Sequence, residues 1–379
     1  MSASLLCGFE SGHLNGDARD ATGTCSIQTS VVRSGRYALR SNPSNSNGYV
    51  SFFRTDSGGA GVSFSCSIRF WINVASLPNL SATIVQVSQN IILTNTGQLS
   101  CAGSTSTKTL SADGLWHMVE AYSSGGTLYV DCDGVNWLTA SATLSVALLM
   151  NIGVISSNTT TDLYFDDVLV SNTEDLPFRG SSKQVILLPT SDPGALNSWT
   201  NGGGGTTSIF EGVNNLPPVR AAASTDGIKV KNATSGGNLD YTPTMQTYIA
   251  AGVPVGSKIN AVMAICNDGE EAATGAKVGS VWVASNPAQA AAGISFDYGD
   301  DSGVLGTFPT NWRPHRGPVA TFPSVTLTTA PTMTIRKTTS TNRVVDVDFM
   351  GIYVDYTPAQ PLTGSSAPIA NAFPQLVRA

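Results

Sequence analysis

Charge is the scarcest ingredient of this sequence. Only 12% of its 379 residues are Asp, Glu, Lys or Arg, about half the ~25% usual in soluble domains. The net charge is −6 and no basic stripe is present. That combination excludes nucleic acid and other polyanions as partners held by charge attraction. Residues 1–180 carry 8 basic and 13 acidic side chains, and residues 181–379 carry 12 and 13. Neither half is an electrostatic receptor, and copies of the chain repel each other weakly, so a homo-oligomer meets little long-range opposition. The Ala, Glu, Lys and Leu enrichment of helical bundles is missing as well. No run approaches 18 apolar residues, which argues against a membrane-inserted helix. Met1 to Glu10 has neither a basic region nor an apolar one, so no secretory leader is expected and synthesis is expected in a cytoplasm.

What is present points to strands. Apolar residues make up 41% of the chain, enough to build cores, and Gly is 38 of 379. Ser and Thr together number 84, so hydroxyls take over the solubilising task that charges usually perform. The first half is a series of short alternating runs separated by Gly, Asn and Ser turns: Tyr49 to Phe53, Phe64 to Ile72, Thr83 to Val87, Trp116 to Tyr122, Thr127 to Asp133 and Leu163 to Val170. In Phe64 to Ile72 the even positions Phe64, Cys66, Ile68, Phe70 and Ile72 form one face. Ser65, Ser67, Arg69 and Trp71 form the other. Gly125-Gly126 before Thr127 reads as a hairpin turn, since glycine takes positive φ at no steric cost.

A boundary falls near Phe178 to Lys183. The second half again alternates: Gln184 to Leu188, Ile228 to Lys231, Ile259 to Cys266, Val278 to Val283, Val325 to Leu327, Thr332 to Arg336 and Val344 to Tyr356. Thr244 to Ala251 and Pro287 to Ala292 read as short helical turns. The fold class expected is all-β, with two tandem β-sandwich or jelly-roll domains at 1–180 and 181–357, each closed by a late strand. A tail at 358–379 contains Pro358, Pro361, Pro368 and Pro374 and favours extended chain. It reads either as a flexible tail or as a docking arm anchored by Ile369, Phe373 and Leu376.

Order and spacing of four stretches over about residues 5–178 carry a family resemblance: Phe9-Glu-Ser-Gly, Asp113-Gly-Leu-Trp-His-Met-Val-Glu, Leu128-Tyr-Val-Asp-Cys-Asp-Gly-Val and Phe165-Asp-Asp-Val-Leu-Val. Together they resemble the laminin G-like or concanavalin A-like jelly-roll family. The resemblance implies the fold and leaves the ligand open, because these residues form scaffold. It also implies a rim at which Asp17, Asp20 and Asp166 gather. More loosely, Ser198-Trp-Thr-Asn, Phe210 to Pro218 and Gly351 to Tyr356 resemble jelly-roll modules of minor tail proteins of tailed bacteriophages.

Catalytic patterns are sparse. No G-x-S-x-G elbow accompanies His13, His117 or His315, which excludes a Ser-His-Asp hydrolase of that type; His117 reads as a framework residue of its strand. The Glu-x-Asp-x-x-Glu pattern that the concanavalin A-like resemblance implies for a glycosidase is absent. Asp131 with Asp133 and Asp166 with Asp167 lack a third partner. Gly202 to Gly205 lacks the Lys-Ser/Thr of a phosphate cradle. Asp297, Asp300 and Asp301 form a solvated turn or a calcium site, since Ca²⁺ takes six to eight oxygens; no other cofactor is expected. The six cysteines form no C-x-x-C pair and no Cys/His cluster in sequence, which excludes the usual zinc spacings. They read as small buried hydrophobes, with a Cys7–Cys25 disulfide as the alternative. Trp312, Arg313, His315 and Arg316 sit on a Pro-rich loop and read as interface anchors or as structured surface.

The resulting expectation is a non-enzymatic virion structural protein of a bacteriophage, a minor tail or tail-tip component with a module for glycans or host surfaces. Its expected partners are other virion proteins, copies of itself and a cell-surface glycan. A capsid decoration protein is the alternative, with a carbohydrate-binding or polysaccharide-degrading protein behind it.

Overall fold

The structure is a computed structural model. It describes residues 3–12, 14, 20–53, 64–146, 149–171, 180–194, 199–201, 210–212, 214, 228–230, 239–270, 278–284, 292–297, 313–316, 326–337 and 345–359. Strands and the turns between them account for nearly all of these, with one 3-10 turn at Phe210–Gly212. Among the described residues every strand pair is antiparallel, for example Trp116–Ser124 with Thr127–Cys132. Among the described residues, no helix is long and apolar enough to cross a membrane. The all-β class is therefore correct.

The described residues form four large sheets. The first runs, in hydrogen-bonded order, Val135–Ser141, Thr127–Cys132, Trp116–Ser124, Ser67–Ser76, Asp162–Ser171, Ala38–Ser41 and Cys25–Gln28, with Ala3–Cys7 also paired to Asp162–Ser171. The second runs Ser104–Thr109, Gln98–Cys101, Ile91–Leu93, Ala82–Gln86, Leu149–Thr159, Ser46–Phe53 and Asp20–Gly23. The third runs Trp199–Asn201, Ile228–Val230, Val345–Thr357, Lys258–Glu270 and Arg313–Arg316, with Lys183–Leu187 also on Val345–Thr357. The fourth runs Pro189–Ser191, Thr244–Met245, Thr332–Lys337, Val278–Ala284 and Ala292–Asp297, with Leu239–Tyr241 also on Thr332–Lys337. The late strands Asp162–Ser171 and Val345–Thr357 end each series in sequence but lie inside their sheets, not at the edges.

Local chemistry explains the register. Gly125 and Gly126 have φ of 58° and 80°, the two-residue turn whose twist matches a hairpin. Counting outward from it, Ser124 pairs with Thr127 and Val119 with Cys132. The even positions from Cys66 to Ile72 lie in the first core, where Cys66, Ile68, Phe70 and Ile72 are fully buried with Val50, Ile84, Val85 and Ile152 of the second sheet. A second core fills the space between the third and fourth sheets, with Val262, Ala264, Ile352 and Val354 facing Met245, Met333 and Ile335.

The opposite face of the first sheet departs from the simple inside–outside pattern. Ser67 and Arg69 are themselves fully buried. A third core joins Leu6 and Leu169 of the first sheet to Ile186, Ala261, Met263, Ile265, Phe349 and Tyr353 of the third. The sheets thus stack in the order second, first, third, fourth. The third sheet is covered on both sides, which is why Ala261 to Cys266 is an unbroken apolar run instead of an alternating one. Two other expectations are corrected in part. Thr244 to Ala251 opens as the strand Thr244–Met245, and only its end makes a single helical turn, the Ala251 N–H donating to the Thr247 carbonyl at 3.1 Å, while residues 287–291 lie outside the described residues. Thr326 to Thr329 is a turn and not part of a strand. Both segments are too short and polar at their ends for periodicity to decide between them.

Arg69 crosses the joint between layers. Its Nη2 lies 2.6 Å from Asp355 Oδ2, and both side chains are fully buried. Asp355 also accepts hydrogen bonds from Ser182 Oγ at 2.7 Å and Asn260 Nδ2 at 2.8 Å. A buried ion must be satisfied this way, because removing one partner leaves an uncompensated charge. Arg69→Met is expected to destabilise the chain by about 3–5 kcal/mol, read by chemical denaturation. Pairing it with Asp355→Leu should recover much of that loss, because two apolar side chains then replace the pair.

Candidate functional sites

Three arrangements gather functional groups among the described residues. The first is the polar rim of the joint. Asp167 faces the Arg33 guanidinium as an ion pair and accepts Ser34 Oγ at 2.6 Å and the Gln184 N–H at 2.9 Å. The Arg33 guanidinium also lies 3.6 Å from the centre of the Trp71 ring, a cation–π contact. Asp166 accepts the backbone N–H groups of Arg33 at 3.0 Å, Ser34 at 3.2 Å and Asp167 at 2.7 Å. Glu10 accepts the Arg36 N–H at 2.9 Å, while its own N–H donates to Tyr353 Oη at 2.8 Å. Gly35, at φ 63°, leaves the room that the Glu10 carboxyl fills.

Next to this rim lies a cleft of about 250 Å³, with Glu10, Gly35 and Arg36 on one wall and Val185, Ile186, Gln246 and Tyr356 on the other. Among the described residues, Glu10 is the one carboxylate that lines it. Burial, then the neighbouring charge of Asp166, pushes the Glu10 carboxyl well above its usual range. Burial, then the charge of Asp167, does the same to Asp166. These carboxyls accept hydrogen bonds from the backbone N–H groups of Arg36, Arg33 and Ser34.

The second arrangement lies on the outward face of the first sheet. Tyr122 and Tyr129 pair across two strands and stack with centroids 5.2 Å apart and planes at 14°. Tyr122 Oη donates to Asp131 Oδ2 at 3.0 Å, and Asn136 Nδ2 donates to Asp131 Oδ1 at 2.8 Å. Tyr129 is half-buried, and Asn136 and Thr139 are exposed beside it.

The third lies at the end of the same hairpin. His117 Nδ1 is 2.7 Å from Asp133 Oδ2, and the Met118 N–H donates to Asp133 Oδ1 at 2.8 Å. His117 Nε2 is 3.6 Å from Asp113 Oδ1. Donor atoms of His117, Cys132 and Asp133 all lie within 4.8 Å of one another. The hydrogen bond to Asp133 raises the His117 pKa. Partial burial pushes Asp133 the other way, yet the bonds from His117 and the Met118 N–H hold it below the ordinary range. Burial, then the charge of Asp133, raises the Cys132 thiol.

The residues singled out in the sequence meet different outcomes. Asp297 ends the strand Ala292–Asp297, while Asp300 and Asp301 lie outside the described residues. Arg313, His315 and Arg316 belong to the strand Arg313–Arg316, paired with Ile265 to Asp268 at the edge of the third sheet, and not to a loop. Pro314 is tolerated there because an edge strand can spare a donor. Trp312, Ile369, Phe373 and Leu376 lie outside the described residues, as does Asp17. Asp166 does not join an exposed rim: it is fully buried, because three backbone N–H groups draw it inward. Cys7 and Cys25 are not joined in a disulfide. All the cysteines are buried except Cys25, which is partly so.

No family model and no curated protein matches the sequence. Among solved structures, domain 4 of AbnA, a GH43 extracellular arabinanase from Geobacillus stearothermophilus, overlaps 47% of this chain and 96% of its own at 15% identity, TM-score 0.34. The cellulose-induced protein Cip1 overlaps 45% of this chain and 97% of its own at 17% identity, TM-score 0.34. The binding domain of Paraclostridial Mosquitocidal Protein 1 overlaps 65% and 75% at 11% identity, TM-score 0.34.

The raised carboxyls at the joint set a pH dependence. A group whose folded pKa lies above its unfolded value of about 4 contributes stability below that pH and loses it as pH rises through the folded value. Unfolding free energy is therefore expected to decline from about pH 4 towards neutrality. Glu10→Gln should flatten that decline, as measured by denaturation at a series of pH values.

Proposed function

We propose that this chain is a non-enzymatic structural protein of a bacteriophage virion, a tail component that presents a glycan-binding face. The observation that carries the binding reading is the Tyr122–Tyr129 stack beside Asp131, Asn136 and Thr139. An aromatic ring offers a flat apolar surface to the C–H face of a sugar. The exposed Asn136 amide and Thr139 hydroxyl at its edge offer partners to sugar hydroxyls, the mixture typical of small-ligand sites. The non-enzymatic reading is supported by the joint, where Glu10, Asp166 and Asp167 are engaged by backbone and side-chain donors. The virion reading draws on the low charge of the whole chain, which lets neighbours pack closely, and on the tail-module resemblance of the second half.

Full-length protein on an oligosaccharide array is expected to bind a defined glycan class. Tyr129→Ala should weaken that binding about tenfold, the ~1.4 kcal/mol expected of one lost aromatic contact. Absence of binding by the native chain would remove the glycan reading. Mass spectrometry of purified particles is expected to find the chain at stoichiometric copy number, and its absence from them would remove the virion reading.

A further inference from the structure

We infer that His117, Cys132 and Asp133 form a binding site for a divalent transition-metal ion of the zinc type. The three donors are imidazole nitrogen, thiol sulfur and carboxylate oxygen, all within 4.8 Å of one another. Tetrahedral zinc, with bonds of roughly 2.0–2.3 Å to N, O and S, needs neighbouring donors roughly 3.3–3.7 Å apart. The His117–Asp133 contact at 2.7 Å must therefore open by less than an ångström and the wider spacings close, changes within the reach of side-chain rotation. Thiolate and carboxylate together cancel the charge of a divalent ion, which suits a place where Cys132 is buried and His117 half-buried. Mixed S, N and O donors favour zinc or cobalt over calcium and magnesium, which prefer oxygen alone.

A second, independent feature supports the assignment. With His117 Nδ1 turned to the metal, its Nε2 faces Asp113 Oδ1 at 3.6 Å, and that nitrogen is buried without a hydrogen-bond partner. Metal-bound histidines almost always present their second nitrogen to a carboxylate, a backbone carbonyl or water, which fixes the ring and raises its basicity. Asp113 stands in that place. Three protein donors leave a fourth position for water or a donor from outside, the pattern of an open site. The exposed Asp133 provides the way in. Binding replaces the hydrogen bond between His117 and Asp133 with two bonds to metal. It also releases to solvent the thiol proton of Cys132 and any extra proton held by His117.

The site is built by the fold and not by a short motif. The Gly125-Gly126 turn pairs Val119 with Cys132, so His117, two residues earlier on the same strand face, comes level with the Asp133-Gly134 turn. Asp133 has φ of 52°, a conformation that Asp tolerates better than most residues.

Titration of the full-length chain with Co²⁺ tests the site. One equivalent is expected to give thiolate-to-cobalt charge-transfer absorption in the near ultraviolet, with the intense visible bands of tetrahedral cobalt. Zn²⁺ should displace both signals and raise the thermal midpoint. Cys132→Ser should abolish the charge-transfer band, and Asp133→Asn should weaken affinity at least tenfold with the fold intact by circular dichroism. Cys101→Ser, which removes a buried thiol elsewhere, should change nothing. No thiolate band in the native chain, or a band that survives in Cys132→Ser, would overturn the assignment.

Discussion

The architecture depends on the burial of one sheet face that the strand pattern offers to solvent. The first sheet has an apolar inner face and a polar outer one, the normal arrangement for a sandwich. Here the outer face is covered by the third sheet, and Arg69 is buried with it. A lone guanidinium in that position would cost several kcal/mol. Asp355 neutralises it from the other layer, and Ser182 and Asn260 complete the carboxylate. The two sandwiches become one four-layer stack because a charge on one of them is satisfied by the other.

That joint then shapes its surroundings. The apolar part, from Leu6 and Leu169 to Met263 and Tyr353, excludes water. Its rim collects groups that are buried but cannot be apolar: Glu10, Asp166, Asp167 and Gln184, with the guanidinium of Arg33. Burial and the charge of a neighbouring carboxyl raise Glu10 and Asp166, while backbone N–H groups between residues 33 and 37 bind them. The cleft beside them is shaped by the same packing. The hairpin reaches the joint through Glu120, which accepts the Gly180 N–H, while Tyr129, Asp133, Asn136 and Thr139 farther along it keep contact with solvent.

The sequence makes the strands legible where one physical signal dominates. Period-two alternation identifies the inner face of Phe64 to Ile72, and the diglycine turn identifies the hairpin after Ser124. The unbroken run Ala261 to Cys266 already carries the information that its strand is covered on both sides. Arg69 is opaque for a simple reason: an arginine on a polar face reads as solvent-exposed until its partner, 286 residues away, is known. His117, Cys132 and Asp133 are opaque to motif spacing as well, since 15 residues separate the histidine from the turn. Counting outward from Gly125-Gly126 would have brought them together, because a two-residue turn fixes every later pair in the hairpin.

The shortage of charge takes on a different meaning in this light. A sequence with few ionic side chains normally spends them on its surface, where hydration is free of cost. This chain places Glu10, Arg69, Glu120, Asp131, Asp166, Asp167 and Asp355 in its interior, and each is at most 8% exposed. Every one of them needs partners of defined geometry, which is possible only if most other positions are neutral and make no competing demands. Low charge is thus a condition of the layered joint. With so many carboxyls committed inside, solubility falls to serine, threonine and asparagine, side chains that hydrogen-bond water without repelling a neighbouring copy.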